Sequence, residues 1–116
     1  PNEMYELMVE ASRQAIREEL NSDDVQMSQR MFGGSVSIVD GEGRLVKEVE
    51  VLSLFKKVTS VREKLRVLEQ KVNNHKTLSA PEKAELQTYI TRSFGSLTTF
   101  NFMFQREQDK FRGTGS

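Results

Sequence analysis

The sequence predicts an α+β domain, mainly helical, and three features carry that expectation: an amphipathic period over residues 2–21, an alternating stretch with turn residues at 35–51, and heptad-spaced apolar residues from 51 onward. The expected order is an N-terminal amphipathic helix, a β-hairpin, and a long antiparallel helical hairpin of coiled-coil type, completed as a bundle by dimerisation. One domain, 1–112, is expected to hold all of these. The last four residues, Gly113-Thr114-Gly115-Ser116, read as a tag remnant or a disordered tail.

Within residues 2–21, Met4, Leu7, Met8, Ala11, Ala15, Ile16 and Leu20 fall on one stripe, widened by Tyr5 and Val9. Such spacing gives a helix one apolar face to bury. Asn21-Ser22-Asp23-Asp24 supplies end and cap chemistry for a short helix at about 24–32, which carries the i,i+4 pair Met27 and Met31 and stops at Gly33-Gly34. The period then falls to two. Ser35-Val36-Ser37-Ile38-Val39 alternates, Asp40-Gly41-Glu42-Gly43 is turn chemistry, and 44–51 is rich in β-branched residues, giving a hairpin over 35–51. Its register stays open: a two-residue turn sets Ile38 opposite Leu45, and a three-residue turn sets Val39 there. A lone hairpin is marginal in water, so this one needs a helix or a second copy to lean on.

Val51, Leu54, Val58, Val61, Leu65, Leu68 and Val72 step by three and four without a break, which defines a helix over 52–74 with an a/d seam. Asn73-Asn74-His75 ends it. Ser79-Ala80-Pro81-Glu82 opens the next helix as an S-x-x-E capping box with Pro in the first turn. From there Leu86, Ile90, Ser93, Leu97, Phe100, Phe104, Glu107 and Phe111 keep the same spacing, so this helix is expected to span 80–111 and to run through the Phe cluster. A strand at 98–104 is the competing reading, because Thr98-Thr99-Phe100 is β-prone and Gly95 weakens a helix by about 1 kcal/mol. The loop at 74–79 is short enough to make the two helices antiparallel neighbours, with Val72 near Leu86 and Val58 near Phe100. Tyr89, Phe94 and Met103 flank this seam where an isolated two-helix coil carries charges, so the apolar face is too wide for one partner. Phe94, Leu97, Phe100, Phe102, Met103 and Phe104 are therefore the expected interface of a homo-oligomer, a dimer being the simplest.

Charge is balanced overall, at 17 basic and 17 acidic side chains, but split along the chain. Residues 1–24 hold seven acids against Arg13 and Arg17, whereas residues 52–76 hold seven cations against Glu63 and Glu69. Lys57, Lys64 and Lys71 lie on one line beside the seam, and the acidic first helix, of the same chain or of a partner, is the expected neighbour of that line. An alternative is a nucleic-acid surface made of Lys56, Lys57, Arg62, Lys64, Arg66 and Lys71. The neutral total charge and the competing acidic helix favour an ordinary solvated face over it.

Catalytic chemistry finds little support. His75 is the only histidine and falls in the inter-helix loop; with no cysteine and no second histidine, no transition-metal site is expected. Asp40-Gly41-Glu42-Gly43 has residues of a calcium loop, but its Gly is at the wrong offset and Val51 stands where the closing Glu belongs. No phosphate-loop, dinucleotide or G-x-S-x-G motif occurs. The pairs Glu18-Glu19 and Asp23-Asp24 fit helix ends. Met4, Met8, Met27 and Met31 have the spacing of an adaptable groove, for which core filling is the commoner use. No catalytic residue, cofactor or metal is expected. Absent cysteines and the lack of a membrane-length apolar run point to a cytoplasmic, non-enzymatic oligomerising or adaptor protein, binding itself or a protein partner through helical surfaces.

Overall fold

The computed structural model describes residues 2–19 and 25–113, with side chains described for 2–11 and 25–113. Its elements are a helix α1 (Asn2–Glu19), a 3-10 turn at Gln29–Met31, strands β1 (Ser35–Val39) and β2 (Leu45–Glu50), and helices α2 (Val51–Asn73) and α3 (Ala80–Ser96). Two further 3-10 turns, Thr98–Met103 and Glu107–Asp109, follow α3. The architecture is mixed helix and strand, with one two-stranded antiparallel sheet among the described residues. The expected end of the first helix at 20–21, the first residue of the expected short helix at 24, and the tail at 114–116 lie outside the described residues.

The hairpin resolves its register in favour of Val39 opposite Leu45. A bulge follows, because Ile38 faces Lys47 and Val46 is left over. The loop is built to match: the Asp40 amide donates to the Arg44 carbonyl (2.9 Å), the Gly43 amide donates to the Asp40 carbonyl (3.0 Å), and Gly43 is left-handed at φ +83°. A three-residue loop closed by a left-handed glycine is a common way to join twisted strands. Asp40 Oδ1 also accepts from the amides of Arg44 (3.0 Å) and Glu42 (2.9 Å), and these two bonds, Arg44's first, hold its carboxyl below the ordinary carboxylate value. Val36 and Val49 pair at the half-buried base, whereas Ile38, Val39, Leu45 and Val46 leave the tip exposed and apolar.

β2 passes into α2 without a loop. The Val51 amide donates to the Gly34 carbonyl at 3.0 Å, and a Cβ at Gly34 would crowd the Met31 carbonyl oxygen at 3.0 Å, which favours glycine at this position. After α2, His75 Nδ1 accepts from the amides of Thr77 and Leu78, both at 3.2 Å, which makes it a turn residue. α3 then starts on its capping box: Ser79 Oγ accepts from the Glu82 amide (3.2 Å) and Glu82 Oε1 accepts from the Ser79 amide (2.8 Å). Lys83 Nζ donating to the Asn73 carbonyl (3.0 Å) and Gln87 Nε2 donating to Glu69 (2.7 Å) mark the antiparallel register of the two helices.

Beyond α3 the structure departs from the expected continuous helix over 80–111: α3 stops at Ser96. Gly95 disfavours continuation, and Thr98 Oγ1 donates to the Gly95 carbonyl at 2.9 Å, so a side chain satisfies a group that a longer helix would pair with its backbone. The chain winds through Thr98–Met103 in 3-10 geometry, then Phe104 extends and pairs with Met27 in an antiparallel bridge. The Ser28 amide donates to the Met103 carbonyl (2.8 Å) and the Gln105 amide to the Gln26 carbonyl (2.9 Å). That pairing also replaces the expected short helix at 24–32, of which only the 3-10 turn Gln29–Met31 forms. Asn101 then grips the returning chain: its Oδ1 accepts from the Phe111 amide (2.7 Å) and its Nδ2 donates to the Phe111 carbonyl (3.0 Å). Gly113 comes to rest on Gly95, where a Cβ would meet the Gly95 amide nitrogen at 2.7 Å.

The core that results contains Val25, Met27, Val51, Phe55, Val58, Met103, Phe104 and Phe111. Phe104 lies between Phe55 (centroids 5.6 Å apart, tilted at 60°) and Phe111 (5.6 Å, 81°), an edge-to-face arrangement favoured by ring quadrupoles. On α2 the buried positions Val51, Phe55, Val58, Thr59 and Arg62 follow the 3.6-residue period of a globular helix. Thr59 is satisfied by donating from Oγ1 to the Phe55 carbonyl (2.9 Å). Within one chain the a/d seam is left partly open, since Val61 and Leu68 are 44% and 47% exposed. Adjacent residues should therefore differ sharply on truncation: Met103→Ala is expected to cost about 2–5 kcal/mol of unfolding free energy. Phe102→Ala, at a half-exposed ring, should cost less than about half of that, as read from paired urea denaturation curves.

Candidate anion-binding cleft

The turn Glu107–Asp109 brings a dense set of charges against the face of α2. Arg62, Arg66 and Glu69 recur at spacings of four and three and so share one side of that helix. Phe94 of α3, together with Gln108, Lys110, Phe111 and Arg112 of the C-terminal coil, completes an open cleft of about 270 Å³. Phe111 is the hinge of this arrangement. The Asn101 clamp fixes its backbone, and its ring stacks at a tilt on Phe94 with centroids 6.2 Å apart.

Arg62 and Asp109 form the floor, and both are buried. Arg62 Nε donates to the Asp109 carbonyl at 3.1 Å, while its Nη2 stands 3.8 Å from Asp109 Oδ1. Asp109 gives its shorter carboxylate bond to Arg106, whose Nε donates to Oδ2 at 3.0 Å. One buried carboxylate thus serves two guanidiniums. Burial first, and Arg66 second, push the Arg62 guanidinium below its ordinary value, while Asp109 and Glu63 pull the other way; it remains the charged form. Nearby, Glu107 pairs with Lys110 at 2.9 Å and more loosely with Arg112 at 3.9 Å. Lys110 and then Arg112 hold the Glu107 carboxyl below its ordinary value. Arg66 makes no ion pair among the described residues. The cleft therefore concentrates positive charge without a matching set of carboxylates.

The residues expected to make an interface are distributed differently. Met103 and Phe104 are enclosed in the core, and Phe94, Leu97 and Phe100 pack half-buried against it; Phe102 alone of the six is exposed. This placement follows from the end of α3 at Ser96, since a coiling chain turns inward the rings that a straight helix would have displayed. The basic set is divided too. Arg62 is buried and paired, Arg66 lines the cleft, Lys56 is half-buried, and Lys57, Lys64 and Lys71 form an exposed line on the opposite side of α2. These six do not form a single surface. Asp109, Gln108, Lys110 and Arg112 were not anticipated as site residues, because a helix through 111 would have carried them away from α2. The sequence does hold a signal for them: Arg106, Glu107, Asp109, Lys110 and Arg112 crowd five charges directly behind the aromatic run.

Among the described residues no group of three or more His, Cys, Asp or Glu side chains could hold a metal ion, and no helix is long and apolar enough to cross a membrane. A small α+β unit of this kind, a hairpin feeding a helical pair that the C-terminal coil straps closed, is the class to which the structure assigns the chain. By sequence the chain belongs to the family described as Domain of unknown function (DUF8685), which it matches over residues 21–110. α1 precedes the matched span. No curated protein and no solved structure matches the chain.

Removing the carboxylate that two arginines share tests the electrostatic reading of the floor. Asp109→Asn is expected to lower stability by about 3–5 kcal/mol, the usual consequence of stranding buried charge. Arg66→Ala, at an unpaired and exposed side chain, should change stability by less than about 0.5 kcal/mol in the same thermal and urea melts.

Proposed function

We propose that the protein is a non-enzymatic, self-assembling adaptor, in which a second copy of the chain covers the open side of the α2–α3 pair. One observation supports this above the others. Val61, Leu68, Leu86 and Tyr89 make an exposed apolar strip beside Lys57, Lys64 and Lys71, while the apolar stripe of α1, Met4, Tyr5, Leu7 and Met8, is itself exposed and sits in an acidic segment. Two greasy surfaces of opposite charge, each without cover in the single chain, are complementary. The reading places α1 of one protomer along the lysine-bordered strip of its partner. This arrangement is isologous, so it closes as a two-fold dimer and completes the bundle across the a/d positions that one chain leaves open. Phe102 and the apolar hairpin tip add further surface that assembly would bury.

The lysine line also fits a polyanion, which makes nucleic-acid binding the competing reading. Multi-angle light scattering at micromolar concentration is expected to return twice the 13.3 kDa chain mass. Leu68→Glu should reduce it to a single chain without loss of helical circular dichroism, and joint reversal of Lys57, Lys64 and Lys71 to Glu should weaken association. A wild-type protein that stays monomeric at tens of micromolar overturns assembly, and an oligonucleotide affinity that falls steeply between two salt concentrations would put nucleic acid in its place.

A further inference from the structure

We propose that the cleft between α2 and the C-terminal coil binds a small phosphomonoester carried on a flat apolar group. The inference is independent of assembly, because the cleft is on the side of α2 opposite the lysine line. Its first support is unbalanced charge. Arg62, Arg66, Lys110 and Arg112 line the cleft against Glu69 alone, and the neighbouring Asp109, Glu107 and Glu63 offset this surplus only in part, since Asp109 is shared with Arg106. A dianion would close that gap.

Placement is the second support. Arg62 is held nearly immobile by its bond to the Asp109 carbonyl, with its carboxylate contact long at 3.8 Å, and Arg66 is one helical turn further on with no ion pair among the described residues. Arg66 can offer a planar pair of donors to phosphoryl oxygens, and Arg62, whose Nε is taken by the Asp109 carbonyl, adds its charge and the outer edge of its guanidinium from the floor, a geometry that lysines on a surface do not provide. Gln108 adds an amide to the same rim, and among the described residues the ion pair of Arg112 is a loose 3.9 Å contact to Glu107.

Shape decides what the phosphate is attached to. A volume of about 270 Å³ exceeds what a bare oxyanion fills and falls just short of the usual range for drug-sized ligands. The half-buried ring of Phe94 walls one side, so a flat apolar body can pack there while the phosphoryl group meets the arginines. Glu69, bonded to Gln87, repels an anion from its end of the cleft, whereas the carboxylate at the Arg62 end, Asp109, is already shared by Arg62 and Arg106.

Isothermal titration of the full chain with phenyl phosphate, inorganic phosphate and benzoate, at fixed ionic strength, tests this. Phenyl phosphate is expected to bind saturably and about tenfold more tightly than inorganic phosphate, the gain of one packed ring. Arg66→Glu should weaken it by about tenfold or more, the loss of a charge-assisted bond, and Lys76→Glu, at an exposed lysine of the inter-helix loop, should leave it unchanged. Equal affinity for phenyl phosphate and inorganic phosphate overturns the apolar half of the assignment. Tighter binding of benzoate overturns the phosphoryl half. No saturable binding, or equal losses in Arg66→Glu and Lys76→Glu, overturns the site altogether.

Discussion

Met103 has no exposed surface, and Phe104 almost none, because the chain that leaves α3 turns back and lays these residues between α2 and the segment around Met27. The rest of the fold depends on that closure. Two antiparallel helices have one contact line between them and cannot by themselves enclose Phe55, Val58 and Val51. The missing layer is supplied by two irregular strands of chain from opposite ends of the sequence, residues 25–28 and 103–105, which pair with each other so that their backbone groups are satisfied where the helices offer no partners. Asn101 then holds Phe111 in a way that imitates one rung of a sheet, and the aromatic stack from Phe55 through Phe104 and Phe111 to Phe94 ties α2, the coil and α3 into one body.

Closure on one side leaves the helical pair with two unlike sides. Toward the C-terminal coil it presents arginines, buried or confined in a cleft, whose charge is shared among too few carboxylates. On the other side it presents an apolar strip with a lysine border. The division follows from the 3.6-residue period: Lys57, Lys64 and Lys71 drift little around the helix over two heptads, while Arg62 and Arg66 fall more than a third of a turn away. A single basic helix in the sequence thus becomes two chemically separate surfaces, an arginine-lined cleft and a lysine-bordered apolar strip.

Local chemistry was legible wherever it acts over a few residues. The hairpin at 35–51, the start of α2, the capping box of Ser79 and Glu82, and His75 as a loop residue all rest on interactions within one turn of chain, and the sequence shows them directly. The Phe cluster was misleading for a physical reason: its spacing continues the heptad, and the local signals against a helix, Gly95 and the β-prone Thr98-Thr99-Phe100, are too weak to outweigh it. What ends it is a hydrogen bond from Thr98 and the gain from pairing Met27 with Phe104, residues 77 positions apart, a contact that no window of sequence contains. Arg62 was legible as a cation and not as a buried one, since its partner Asp109 stands 47 residues away. The cleft shared that fate, because it exists only once the coil has returned.

That closing stretch carries a consequence for how the chain is made. Synthesis on the ribosome proceeds from the N-terminus, at roughly 5–20 residues per second. Val25, Met27 and Phe55 emerge early, but the side chains that enclose them, Met103, Phe104 and Phe111, are among the last of residues 25–111 to appear. Until those three residues follow, the buried face of α2, with Phe55 and Val58, lacks the side chains that cover it, and during that interval its apolar surface is open to other contacts.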